Sequence, residues 1–404
     1  MEKSGIYGIP NHTARCLAPV AAEQERNRFL VGTTDRTDNE IHLLDFEEDD
    51  FEISSLVYRH PRDVWAITPS PTRVDMLFTA YTKVDDGAIS MGASLWKMPS
   101  TEIDDQNKFR PKPNLQLEEV LKLDSGSAQP SRIAGILCDP GSTTTDTVVT
   151  LEDRCLQIWN IDLGSSSVRA LRSLDANPHP TPDIPSYLTA GAWNPHAAEQ
   201  IVSACGGEVA GWDLRIDRQA FHIGGAHSDT IRSIDCNPNR PHILVTASDD
   251  RSVRFWDVRN ADAPIKEVSG HSHWIWAVAF NKSHDQLVLT SSSDCQVNLH
   301  NIISISSAPF GESEESSDDD GADRGTDSGV KKGEHASTEK GERDTSKKTK
   351  KPGDSLAATY DQHEESVYSV AWSPADPWIF GSLSHDGRVV VNLVPQTLKY
   401  QILL

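Results

Sequence analysis

One spacing recurs in this chain and restricts its fold more than any other feature. A histidine is followed 23 residues later by an aspartate at His227/Asp250, His271/Asp294 and His363/Asp386. The histidines His227 and His271 are themselves 44 residues apart. Between each pair the apolar residues alternate with a period of two: Ile231 and Ile234, Ile275 and Val278, Val367 and Val370. Each copy then runs through a turn, a β-branched or apolar run such as Ile243–Thr246, and the Asp itself. Alternation of period two reads as strands, and Pro, Asn and Asp mark the turns between them. Three or four short strands cannot bury both faces of a sheet alone, so each copy needs neighbours of its own kind.

A repeat of roughly 40–45 residues with four strands per unit is the signature of a WD40 β-propeller. The rest of the chain supplies further blades. Arg28–Thr33 and Glu40–Phe46 fit the second and third strands of a first blade. A second starts at His60 and ends near Trp96, a third runs from Ile133 to Trp159, and a fourth from Trp193 to Asp213. The expected fold is all-β, a single seven-bladed propeller over residues 1–404. Either a strand within Ile6–Cys16 or the C-terminal Val390–Leu404 closes it. Asn177–Pro182 is Pro-rich and reads as an interblade loop or as a polyproline ligand. Residues 311–355 have almost no apolar side chains, begin acidic (Glu312 to Asp320) and end basic (Lys347 to Lys351). Such a composition cannot offset its ordering entropy, so a disordered insertion is expected there. Ser316 and Ser317 with acids three residues on resemble acidophilic kinase sites.

The net charge is −22, which opposes nucleic acid and anionic membrane surfaces as partners. No apolar run reaches the roughly 20 residues that span a bilayer, and the first residues lack the apolar core of a secretory signal. The six cysteines lie far apart without a CxxC pair and read as reduced thiols of a cytosolic protein. Neither nucleotide loops nor catalytic or zinc-ligand motifs occur, so no enzyme activity, cofactor or metal is expected.

The fifth repeat is the most complete. His227, Ser248, Asp250 and Trp256 are expected to form a buried hydrogen-bonded tetrad, since a buried carboxylate must be paired and imidazole supplies the donor. In blades six and seven His300 and Asn392 stand where Trp is expected, and those blades should be weaker. The residue five after the histidine is Trp65, Arg232, Trp276 or Tyr368, with Trp274 two before Trp276. Strand alternation would turn these side chains toward the propeller rim. Trp, Arg and Tyr are the types enriched at binding hot spots, so the set serves either partner binding or aromatic packing between blades. Two WDxR strings end in Arg215 and Arg259. They are similar to the box of cullin-type ubiquitin-ligase substrate receptors, in which the Arg reaches an adaptor.

Longer strings are more specific: RFLVGT (28–33), EIHLLDF (40–46), HSHWIWAVAFNKSHDQLVLTSSSD (271–294), SISSAPFG (304–311), VYSVAWSPADPWIFGSLSHDGR (367–388) and LKYQILL (398–404). Together they resemble the EARP and GARP complex-interacting protein family over nearly the whole chain, least at 97–190 and in the insertion. The resemblance implies a non-enzymatic seven-bladed scaffold, monomeric by itself, that binds subunits of the EARP and GARP tethering complexes. It implies a cytoplasmic protein reaching the trans-Golgi network and endosomes through these partners, without inserting into membrane. Endosome-to-Golgi retrieval, endosomal recycling and dense-core vesicle cargo sorting are the processes implied. A cullin-type substrate receptor acting through the WDxR arginines is the alternative.

Overall fold

The computed structural model describes residues 4–85, 88–99, 109, 115–124, 130–141, 143, 146–176, 187–307 and 353–404. Seven sheets, antiparallel except for one short added strand in the first, follow one another along the chain and form the seven blades of a propeller. The fifth blade shows the pattern: inner strand Ile231–Cys236, then Ile243–Ser248, Val253–Asp257 and outer strand Lys266–Val268. Its second strand is buried throughout, because it is covered on both faces by neighbouring blades. The apolar run in the sequence reflects that double burial.

Adjacent blades share their cores. Trp256 packs with Val202, Ile234 and Leu244 between blades four and five, and Phe255 packs with Phe280 and Val288 between blades five and six. Inner strands are also stitched across blades by hydrogen bonds. Ser233 Oγ accepts from the Val278 N–H at 3.2 Å, and Asp235 Oδ2 accepts from the Phe280 N–H at 2.9 Å. These two polar side chains are thus paired across the blade boundary, as the low dielectric there favours.

The N-terminus closes the ring. Strand Gly5–Gly8 lies antiparallel against Arg388–Leu393, with Gly5 opposite Val391 and Gly8 opposite Arg388. Of the C-terminal candidate, Val390–Leu393 belongs to that partner strand, and Gln396–Leu403 becomes a helix on the outside of blade seven, with Leu398 buried and Lys399 Nζ 5.3 Å from the Trp378 ring. A strand there would need a free edge, and Gly5–Gly8 already occupies it.

Two features depart from the expected repeat. Blade one has a fifth strand, Leu115–Gln116, parallel to Tyr58–Arg59, and Phe109 is buried in the same core beneath the Arg28 guanidinium. Most of residues 101–114 lie outside the described residues, as do Asn177–Pro182, Ser316 and Ser317. So does the expected insertion except for its last three residues. There the boundary needs correcting, since Ser355 opens strand Ser355–Tyr360 opposite Asn301. Asp354 is already fixed by the Ser304 N–H at 2.8 Å and by Lys266 Nζ at 2.9 Å.

No helix among the described residues is long and apolar enough to cross a membrane. All six cysteines are free thiols. Burial pushes the thiol of Cys236 up to about 12.

Candidate functional site

The site begins with a backbone irregularity repeated around the propeller. In six inner strands two residues face one on the neighbouring strand. The extra residues are Arg15, Ala134, Thr189, Arg232, Trp276 and Tyr368 in blades one, three, four, five, six and seven. In blade two Trp65 and Ala66 both lie against Ala80, whose carbonyl accepts the Trp65 N–H at 2.9 Å. A β-bulge leaves its extra residue unpaired and re-aims that side chain. The turn toward the rim inferred from alternation is therefore correct in outcome but has another cause, the bulge.

Composition then breaks the symmetry. Blades three and four contribute the small Ala134 and Thr189, whereas blades five, six, seven, one and two contribute Arg232, Trp276, Tyr368, Arg15 and Trp65 in that order around the ring. These five side chains form one continuous arc. The Arg232 guanidinium carbon is 4.8 Å from the Trp276 ring centre, and Trp276 and Tyr368 meet edge-to-face at 4.6 Å. Arg15 lies 4.7 Å from Tyr368 and 5.4 Å from Trp65, bridging the two. Trp274 adds a further edge contact to Trp276 at 6.3 Å. All five residues expected from the repeat, Trp65, Arg232, Trp274, Trp276 and Tyr368, are thus brought to one rim. Of the ten tryptophans, Trp65 and Trp274 are the exposed ones, at 41% and 44%.

Most polar ends in the arc are already occupied. Asp249, itself buried, holds Arg232 in a two-pronged pair at 2.9 and 2.6 Å. The Trp276 indole N–H donates to Ser293 Oγ at 2.6 Å, and that of Trp65 to Asp63 at 2.7 Å and Thr82 at 3.0 Å. Arg15 differs: among the described residues no carboxylate pairs with it.

Arg15 escaped the sequence reading because it lies three residues after His12, not five after a histidine. A signal was present nonetheless. His12 and Asp35 are 23 apart and bond at 2.6 Å, so blade one carries the same His–Asp pair behind a shorter loop.

The tetrad of blade five forms with one member corrected. His227 Nδ1 pairs with Asp250 at 2.9 Å, and its Nε2 meets Thr246 Oγ1 at 2.7 Å. The Trp256 indole N–H donates to that same Thr246 oxygen at 3.0 Å. The hydroxyl member is thus Thr246, not Ser248. Trp256 stands opposite Leu244, so its ring reaches the diagonal neighbour two residues on, and Ser248 lies a further two away at the strand end. Ser248 instead donates to the Asp229 carbonyl and accepts the Asp250 N–H. His227 and Thr246 are fully enclosed, which gives a substrate no access to this His–Asp–hydroxyl set. Burial alone would raise the Asp250 carboxyl, but hydrogen bonding from His227 and Ser252 outweighs it and holds the group well below the usual range.

Other blades vary the same scheme. In blade two Trp96 and His60 share Thr79 at 2.8 and 3.1 Å, and His60 Nδ1 turns to the Arg62 carbonyl. In blade six His300 takes the Trp place, its Nε2 3.1 Å from Thr290, while its buried Nδ1 has no partner. In blade seven the His363 imidazole contacts Ser382 and Ser384, and Asn392 pairs with Gln362 instead of completing the chain.

Arg215 and Arg259 lie at the opposite end of the blades, since Asp257 faces Ile243 where the second strand begins. Both side chains are 65% exposed, yet both are forked onto their own aspartates, Arg215 on Asp213 and Arg259 on Asp257, at 2.7 and 2.6 Å. Among the described residues no three His, Cys, Asp or Glu converge as a metal site.

Comparison with known proteins accords with this geometry. The sequence profile of the EIPR1 β-propeller family matches residues 1–300, and a WD domain, G-beta repeat, matches 354–391. The EARP-interacting protein homolog of Gekko japonicus is 39% identical over 99% of this chain and 98% of its own length. The EARP and GARP complex-interacting protein 1 of Homo sapiens is 37% identical over the same shares. The WD repeat-containing protein DWA2 of Arabidopsis thaliana is 31% identical over 97% of both chains. Matched by this family profile over residues 1–300 and by these relatives along its length, this chain belongs to the EIPR1 β-propeller family.

Proposed function

We propose that this protein is a non-enzymatic propeller adaptor that binds the EARP and GARP tethering complexes, and that the rim arc is its docking surface. The observation that carries the reading is the end-to-end match at 37–39% identity to relatives named for interaction with those complexes. The rim supports it physically, because aromatic and arginine side chains held in a fixed, half-exposed arc are what binding hot spots are made of. On this reading the protein acts in the cytoplasm and meets endosomes and the trans-Golgi network through its partners. There it supports endosome-to-Golgi retrieval, endosomal recycling and dense-core vesicle cargo sorting. The charged segment 311–352 is, on the same reading, an insertion within one 404-residue propeller.

The test is affinity purification of the tagged full chain, with the bound proteins identified by mass spectrometry. Subunits of both complexes are expected. Their absence, or recovery of a cullin adaptor that is lost on Arg259→Ala, would overturn the reading.

A further inference from the structure

We propose that the rim receives an extended acidic peptide of the partner, and that Arg15 holds an Asp or Glu carboxylate of that peptide between Trp65 and Tyr368. This rests on the adaptor reading above and specifies the chemistry of its docking surface.

The argument starts from what the arc leaves unmet. Arg232 is neutralised by Asp249, and both indole N–H groups have oxygen partners inside the protein. Arg15 has rings on two sides and, among the described residues, no acid paired with it. A guanidinium carries five donors in a planar fork that fits a carboxylate two-prong to two-prong. The flanking rings at 4.7 and 5.4 Å fix the plane of that fork and shield it from water, which strengthens a charge-assisted bond.

A carboxylate fits better than a phosphate. Phosphate recognition uses clusters of arginines, whereas the neighbouring cation of the arc, Arg232, is already engaged with Asp249. Asp63 is bonded to the Trp65 indole, and Asp35 and Glu40 surround His12, three residues before Arg15. Those acids penalise a dianion more than a single carboxylate. A polyanion such as nucleic acid meets the same acids and the net charge of −22. The occupant is a peptide because the arc continues on both sides of Arg15. The exposed ring of Trp65 and, beyond Tyr368 and Trp276, that of Trp274 offer stacking surface to its apolar residues.

The experiment uses the purified full-length chain and fluorescently labelled overlapping peptides that tile the EARP and GARP subunits. A peptide that binds is expected to contain an Asp or Glu whose change to Asn or Gln weakens binding about tenfold, in the range of a charge-assisted bond. Arg15→Ala is expected to cause the same loss for the acidic peptide and no further loss for the neutralised one. Arg15→Lys keeps the charge without the fork and is expected to retain part of the affinity. Arg15→Gln gives the same readout if the alanine variant melts early. Binding indifferent to Arg15 and to the peptide carboxylate overturns the proposal, as does binding only after phosphorylation of the peptide. If the intact complexes are captured but no tiled peptide binds, the acidic-peptide proposal fails and the adaptor reading stands. If the complexes are not captured at all, the adaptor reading fails and this proposal with it.

Discussion

Gly5 faces Val391 across an antiparallel ladder, so the first strand of the chain is the outermost strand of its last blade. The ring is sealed a second time on its inner side, where Ser369 Oγ donates to the Leu17 carbonyl at 3.1 Å. Both contacts join residues from opposite ends of the sequence. The propeller can therefore be complete only when the whole chain has folded.

The seam gives a first prediction. A Cβ on Gly5 would lie 2.8 Å from the Phe46 ring, which is buried in the core between blades one and seven, whereas one on Gly8 would meet nothing. Overpacking of this kind costs about 1–3 kcal/mol. Gly5→Ala should lower the melting temperature and Gly8→Ala should leave it nearly unchanged. Equal melting temperatures in thermal denaturation would show that the seam strand gives way without cost.

The corrected tetrad gives a second. Thr246→Val keeps the shape but leaves His227 Nε2 and the Trp256 indole N–H without their shared oxygen. Each buried unsatisfied group costs about 1–3 kcal/mol. Ser248→Ala removes two longer bonds, one to the Asp229 carbonyl and one from the Asp250 N–H, each 3.2 Å and together worth about 1–2 kcal/mol. Chemical denaturation should rank Thr246→Val as clearly the more damaging, and the reverse order would restore Ser248 to the tetrad.

A third concerns pH. Burial lowers the imidazoles of His42, His60, His300 and His363 to about 4. In the unfolded chain they titrate near 6.5. The unfolded state therefore binds protons first. Their stabilising contribution is full above about pH 6.5 and is lost as pH falls toward about 4, up to about 3 kcal/mol for each histidine. Thermal melts from neutral pH to about pH 5 should show a falling melting temperature. His300→Trp, which supplies the N–H donor used in blades two to five and removes the orphaned Nδ1, should make that fall shallower. An unchanged slope in this variant would count against the buried neutral imidazole.

A fourth separates docking from packing. Trp274 is 44% exposed and touches the arc at its edge, so Trp274→Ala should shift stability by no more than about 0.5 kcal/mol. Capture of the tethering complexes should nevertheless fall at least severalfold. Trp276 and Tyr368, half-buried and packed on each other, should lose both binding and some stability when changed to Ala. Undiminished capture by the Trp274 variant would leave the aromatic rim with packing alone.

Burial also protects a thiol. Cys236 sits between blades four and five with its pKa near 12, so iodoacetamide should modify it only after denaturation. Labelling of Cys236 in the native protein would contradict the packed interblade core.

Much of this was legible in the chain. The 23-residue His–Asp interval, the period-two alternation and the turn residues are local, and they specify how many blades form and where each starts. The longer strings pointed to the right family. Trp65, Arg232, Trp274, Trp276 and Tyr368 were found because the repeat register is itself a sequence property. What failed to show were matters of geometry between elements. Whether Ser248 or Thr246 meets Trp256 depends on a diagonal across two strands. Whether the first or last segment closes the ring depends on which reaches a free edge. Arg15 joins Trp65 and Tyr368 only because a bulge aims it and the closed ring sets blades seven, one and two side by side. Sequence determines the strands, because hydrophobic period and turn chemistry act between near neighbours. Tertiary structure alone decided the seam, the tetrad partner and the arc, because each depends on side chains that are distant in the chain and meet only when the propeller closes.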